Sequence, residues 1–339
     1  MNKRTLILKL KIKLSRFFII SKFARNYYIN ELKKLIPLNE KTLSNENVSL
    51  TDVLDNRIEN DFCIALLPAS LGDTMLFFMY KDEIEKQNNV RIFTVLRKSH
   101  SVIPKLLNEQ PENYLLVNSV FDIFNMPEFN IFFGNWKKCC GDIGLISLKP
   151  SKKSFFIAHL DYMRNRKAEW ATKKINDFLA CTRFTFYLNS STKFSRKLNY
   201  SLLPQKKLLK KTVLLAPESA TLATTLAIDK TFWNTIAEYY KQKGFNVVYN
   251  AVSEINYLSK SCSWLNADLE TALGIAIQCE TVISIRSGFC DLLYKLGEKL
   301  IVIYPNKIFF EMFSLNKMFE VNDIKEFVYN KDSLNEILS

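Results

Sequence analysis

Short, wholly apolar runs recur along most of this 339-residue chain, separated by stretches of helical character. Phe62-Cys63-Ile64-Ala65-Leu66-Leu67 contains no charged or hydroxyl side chain and runs straight into a Pro-Ala-Ser-Leu-Gly turn. A strand that is apolar on both faces has to be covered on both faces, as happens in a parallel sheet crossed by helices. The pattern predicts a helix from Asp73 to Gln87, a strand at Arg91–Leu96 and a helix from Ser99 to Leu107. Further strands are expected at Tyr114–Val117, Asn130–Phe133, Ile143–Leu148 and Ser154–Ala158, and a helix from Arg166 to Ala180.

The alternation stops in residues 189–211, which are rich in Ser, Lys and Asn and include Pro204, the composition of an interdomain linker. It then restarts with a strand at Thr212–Ala216 and a helix from Thr231 to Lys243, closed by Gly244 as a residue suited to a helix C-terminus. A strand at Phe245–Tyr249, a helix from Asp268 to Cys279 and a strand at Thr281–Ser284 follow. A short helix from Phe289 to Leu296 and a strand at Leu300–Tyr304 complete the second series. The expected organisation is a leader over residues 1–41, an α/β domain over 42–205 and a second over 206–339.

The leader holds much of the charge. Eleven Lys or Arg stand against Glu31 and Glu40 in residues 1–41, so this segment carries +9 of the chain's formal +13. The body is only mildly basic, which argues against a nucleic-acid enzyme with a basic groove. Leu6, Leu10, Leu14, Phe17 and Phe18 recur at helical spacing among lysines, suiting an interfacial helix on an anionic membrane surface. The same stripe also suits packing on the protein's own body, and Leu8 to Leu14 alternates strictly enough for a strand. No apolar run approaches the length of a membrane span, and the leader lacks a signal-peptide cleavage pattern. Seven cysteines without a C-x-x-C pair and only two histidines, His100 and His159, give neither a disulfide framework nor a zinc site. A reducing, cytoplasmic setting is expected, possible contact with the inner face of the cell membrane included.

Ligands of doubly wound sheets bind beyond the C-terminal ends of strands, where loops enter helices, and three such loops carry chemistry. In Pro68-Ala69-Ser70-Leu71-Gly72-Asp73, Gly72 permits a tight turn and Asp73 stands at a helix start. There it serves either as a general base toward a hydroxyl or as a cap of its own helix. Pro217-Glu218-Ser219-Ala220 leads through Thr221, Thr224 and Thr225 to Lys230. These hydroxyls and the cation form either a phosphate-binding set or a solvated polar loop. In Ile285-Arg286-Ser287-Gly288-Phe289, the Ser-Gly turn offers backbone amides and Arg286 a guanidinium fork for a phosphate. The alternative is a helix start with Ser287 near the cap and Arg286 paired to a carboxylate such as Asp291.

These loops resemble those of the heptosyltransferase-type enzymes of glycosyltransferase family 9. Ser70-Leu71-Gly72-Asp73 is similar to that family's Ser-Leu-Gly-Asp loop, and Pro217-Glu218-Ser219, Lys230, Trp233, Gly244 and Val247-Val248 to its donor-domain opening. Leu269 to Tyr304 resembles the second donor signature. The chain departs from the family by placing Arg286 where an Asp is usual and Asp291 near the position of a His. The resemblance implies a GT-B-like fold of two facing Rossmann-like domains with parallel sheets, and Asp73 as catalytic base. Ser219 and Lys230 are carried over from it as donor- or phosphate-binding residues, Arg286, Ser287 and Gly288 join them from the reading of their own loop, and Gly72, Glu218 and Asp291 are further candidates.

The expected activity is transfer of a sugar from a nucleotide-activated donor to a glycan or lipid-linked glycan of the bacterial surface, such as lipopolysaccharide or capsule. Inversion at the anomeric carbon is expected, and no nucleic-acid partner. No Asp-x-Asp triplet occurs, so neither a metal nor another cofactor is expected. Two rivals remain: a sugar-nucleotide epimerase or hydrolase of the same fold, and a non-catalytic membrane- or nucleic-acid-binding module built on the leader. A nicotinamide dehydrogenase is disfavoured because no G-x-G-x-x-G follows a strand.

Overall fold

The computed structural model describes residues 62–67, 70–118, 146–147, 154–157, 178–205, 211–219, 228–258, 260, 262–330 and 333–338. The basic leader, the strand expected at Asn130–Phe133 and most of the helix expected from Arg166 lie outside these residues, as do Thr221, Thr224 and Thr225.

The chain builds two wholly parallel sheets. The first contains β1 (Phe62–Leu67), β2 (Arg91–Arg97), β3 (Tyr114–Val117), β4 (Ile146–Ser147) and β5 (Ser154–Ile157), in the spatial order β3-β2-β1-β5-β4. The second contains β6 (Thr212–Ala216), β7 (Asn246–Tyr249), β8 (Ser263–Trp264), β9 (Thr281–Ile285), β10 (Leu300–Tyr304) and β11 (Lys325–Val328). Its order is β11-β10-β9-β6-β7-β8, the arrangement of a dinucleotide-type fold, with strand order reversing between β6 and β9. The register pairs Leu214 with Val282 and Ala216 with Ser284, bringing the loops after β6 and β9 side by side.

Both faces of the second sheet are covered, as its apolar strands require. Val213 and Leu215 pack into one core with Phe232, Trp233 and Ile236, whereas Leu214 and Ala216 pack into another with Leu273 and Leu292. That second core is continuous with the first sheet, reaching Ala65, Met75, Phe77 and Leu96. The helices are α1 (Leu71–Asn88), α2 (Val102–Leu106), α3 (Phe178–Thr185), α4 (Lys230–Gln242), α5 (Leu269–Ala276), α6 (Gly288–Asp291), α7 (Lys307–Phe313), α8 (Leu315–Phe319) and α9 (Ser333–Leu338). Gly244 adopts φ 81° immediately after α4, the left-handed conformation that favours glycine there. No helix among the described residues is long and apolar enough to cross a membrane.

Much of the stretch read as a polar linker is packed. Leu198 and Leu203 are buried, Ser195 N–H donates to Met79 O at 2.9 Å, and Asn199 N–H donates to Leu106 O at 2.7 Å, tying this strap to the first lobe. Tyr200 OH donates to Leu292 O at 2.7 Å, and Lys295 Nζ donates to Leu198 O at 2.9 Å, tying it to the second. The polar composition concealed leucines spaced to point inward. The sequence reading also left the chain beyond Tyr304 unassigned, where α7, α8, β11 and α9 complete the second lobe.

Candidate active site

The loops after β1, β6 and β9 all lie at C-terminal strand ends, and two of them meet. Ser70 caps α1 with extended backbone (φ −68°, ψ 167°), and its Oγ accepts from Asp73 N–H at 3.5 Å. Thr74 Oγ1 donates to Ser70 O at 3.0 Å and lies 3.0 Å from His100 Nδ1, so the turn is braced from the end of β2. Thr74 carries a single hydroxyl proton. With that proton on Ser70 O, the imidazole is the Nδ1–H tautomer. Burial pushes the His100 pKa down to about 4, and the nearby Arg97 acts in the same direction, so the ring is neutral. The sequence reading gave His100 no role; its place at the end of the second strand was the available signal. Asp73 itself is half-buried on the first turn of α1.

The loop after β6 delivers Glu218, exposed, and Ser219, half-buried. Glu218 Oε2 accepts from Val252 N–H at 3.4 Å, beyond the end of β7. Asp229 caps α4, its Oδ1 accepting from Thr231 N–H at 2.7 Å, which leaves Lys230 exposed at the helix start. Lys230 Nζ lies 5.7 Å over the ring of Tyr257, whose phenol is pushed up by burial and then by the charge of Glu218. Glu218, Lys230 and Tyr257 therefore form one cluster beside the switch point. Tyr257 was missed in the sequence because no short motif contains it.

The loop after β9 corrects one expectation. Arg286 is buried, with Nε donating to Phe313 O at 2.9 Å, Nη1 to Ser287 O at 2.9 Å, and Nη2 lying 2.8 Å from Asp291 Oδ1. Its guanidinium is spent inside the second lobe, so the fork proposed for a donor phosphate is taken by protein groups. A guanidinium removed from water has to find such partners. Burial works against its charge, but Asp291, Cys290 and Tyr304 together outweigh this and the Arg286 pKa rises. Burial likewise pushes the Asp291 carboxyl up, while Arg286 pulls it back.

Ser287 caps the four-residue α6, and its N–H donates to Cys290 Sγ at 3.2 Å. The start of α6 abuts the start of α1: a Cβ placed on Gly288 would stand 2.8 Å from Leu71 Cβ and 2.9 Å from Gly72 N. A Cβ on Gly72 would overlap Asp291 Oδ2. Gly72, Gly288, Asp291 and Arg286 are thus brought together where the two lobes touch, with Asp73 adjoining Gly72. Lys230 and Glu218 gather instead around Tyr257. The Ser287-Gly288 turn packs against Leu71 and Gly72, with Ser287 buried and Gly288 half-buried.

No protein-family model matches the chain, and no curated protein matches it. Among solved structures, the chain is similar to the iron-containing dodecameric glycosyltransferase TibC of enterotoxigenic E. coli H10407. Identity is 13% and the TM-score 0.48, over 72% of this chain and 58% of that one. It is similar to a family 9 glycosyl transferase from Veillonella parvula, at 11% identity and a TM-score of 0.49, over 82% and 90% of the two chains. It is also similar to E. coli ADP-heptose lipopolysaccharide heptosyltransferase II, at 10% identity and a TM-score of 0.46, over 79% and 89%. The chain spans 58% of the length of TibC. The expectation that no metal is involved is overturned by the iron of TibC and is withdrawn. Among the described residues, no three of His, Cys, Asp and Glu are gathered to hold an ion, so none is assigned to one.

Proposed function

We propose that this protein is a glycosyltransferase that moves a sugar from a nucleoside-diphosphate donor to a hydroxyl of a bacterial surface glycan, lipopolysaccharide or capsule. The observation that carries the reading is the meeting of the Ser70–Asp73 turn with the Ser287-Gly288 turn. It puts a carboxylate-bearing helix start of one lobe at the switch point of the other, where doubly wound folds bind nucleotides. The donor lies along the ends of β6 and β9, with its diphosphate toward Ser219 and Lys230. Asp73 removes the proton from the acceptor hydroxyl, whose oxygen attacks the anomeric carbon as the bond to the diphosphate breaks, inverting that centre. Negative charge developing on the departing diphosphate is met by the Lys230 ammonium and the Ser219 hydroxyl. The basic leader of residues 1–41 holds the enzyme to the cytoplasmic face of the membrane, where lipid-linked acceptors are presented.

A thermal-shift panel of ADP, UDP, GDP and CMP, extended to their sugar conjugates with ADP-heptose included, tests the reading. One base is expected to raise the melting temperature selectively, because a ligand that binds the folded state stabilises it. No shift with any member at millimolar concentration would reject a nucleotide-sugar donor. Incubating the selected donor without acceptor distinguishes transfer, which leaves it intact, from epimerisation or hydrolysis, which consumes it.

A further inference from the structure

Asp291 belongs to the second lobe by sequence and to the contact between the lobes by position. It is 4% exposed, and Oδ1 lies 2.8 Å from Arg286 Nη2. Oδ2 faces the backbone of Gly72, so closely that any side chain there would overlap it. Gly288 completes the contact from the same lobe, its α-carbon set against Leu71 and Gly72. Two of the chain's eight glycines therefore meet at one place, and a charged group fills the space that one of them leaves. Arg286 is itself anchored on Phe313 O and Ser287 O, which holds the carboxylate at a fixed point of the second lobe. Gly72 lies in the first turn of the 18-residue α1, where exposed amides and the helix dipole favour a negative charge. The next residue along that turn is Asp73.

We propose that Asp291 is a positioning residue for the candidate base. It reaches into the contact between the lobes, seats against the first turn of α1, and sets the separation between Asp73 and the donor-side loops. Arg286 acts through it: the guanidinium aims the carboxylate, and the carboxylate locates the turn. The kinetic consequence rests on the transferase reading; the contact between the lobes does not.

Amide hydrogen exchange, read by mass spectrometry on peptides covering residues 70–80, 212–216 and 281–293, reports the contact in the full-length protein without any ligand. Asp291→Asn keeps the shape and removes the charge. It is expected to speed exchange in 70–80 by tenfold or more beyond any change in 212–216, the central strand that reports global stability. Gly72→Ala should have a similar effect by collision. With the carboxyl group removed by Asp291→Ala, the nearest remaining neighbour of that Cβ is the Gly288 α-carbon at 3.8 Å, an ordinary contact. The double variant Gly72→Ala/Asp291→Ala should therefore be no worse than Asp291→Ala alone, a strongly non-additive cycle. Additive effects, or unchanged exchange in Asp291→Asn, would overturn the proposal.

The kinetic arm uses the nucleotide sugar selected by the panel, beginning with ADP-heptose. Asp291→Asn should lower kcat tenfold or more at unchanged donor KM. A loss falling on donor KM instead would make Asp291 a donor ligand and overturn the positioning role. If the wild-type protein turns over no nucleotide sugar, the transferase reading fails, while the exchange cycle still decides the contact.

Discussion

Lys81 Nζ lies 2.7 Å from Glu109 Oε2, and both side chains are almost sealed from solvent. Lys81 projects from α1 and Glu109 from the turn after α2, and Arg196 of the strap adds a second cation to the same carboxylate at 2.9 Å. Glu109 Oε1 accepts from Asn113 Nδ2 and Gln110 N–H, so the buried carboxylate is fully satisfied. Burial works against its charge, but Lys81 first and then these donors hold its pKa below the usual range. Replacing Lys81 by Met leaves the carboxylate with one cation. The expected cost is about 3 kcal/mol of unfolding free energy, the usual scale for breaking a buried pair from one side. Urea denaturation measures it, and a loss under about 1 kcal/mol, the scale of an exposed pair, would show that the ion pair is solvated.

Asp73→Asn preserves the cap geometry of α1 and removes the base. Turnover should fall by roughly a thousandfold, within the range for loss of a general base. Nucleotide affinity measured by calorimetry should stay within twofold. Near-normal turnover in this variant would sink the assignment.

Lys230 and Arg286 should part company. Lys230→Ala is expected to weaken nucleoside-diphosphate binding by roughly tenfold, the loss of one charge-assisted contact, with little effect on stability. Arg286→Ala should instead unfold at markedly lower urea, because it leaves Asp291 buried without its counter-ion. An arginine variant of wild-type stability with weakened nucleotide binding would restore the phosphate fork.

His100 makes stability depend on pH. Its folded-state pKa of about 4 lies below the ordinary 6.5, so between these values the unfolded chain binds a proton that the folded one refuses. The stabilisation is complete above pH 6.5, fades as the pH falls, and has gone below about 4; it amounts to as much as roughly 3 kcal/mol. His100→Gln should remove this part of the slope. The difference between wild type and variant should therefore change across that window and be flat outside it. A constant difference from pH 7 to 4 would mean that the imidazole is freely protonated in the folded state.

The central strands were legible because a strand buried on both faces writes itself as an unbroken apolar run: β1, β6 and β10 fall where Phe62–Leu67, Thr212–Ala216 and Leu300–Tyr304 announced them. The loops that follow were legible for the same reason, since they start where the apolar run ends. Charged residues inside the protein were not. Lys81 reads as a surface lysine on a helix, and only the fold supplies Glu109 from 28 residues away. Arg286 offered two partners, a phosphate or Asp291, and the choice depends on how the Ser287-Gly288 turn packs against Leu71 and Gly72. Tyr257 and His100 reach the site through the ends of neighbouring strands, a relation set by strand order and therefore invisible in local spacing.

The strap has a mechanical consequence. Phe194 lies between Tyr80 of the first lobe, at a ring-centroid distance of 4.6 Å, and Phe319 of the second, at 6.0 Å. The strap therefore acts in parallel with the continuous core and the Gly72–Gly288 contact, so drawing the lobes apart has to break all three together.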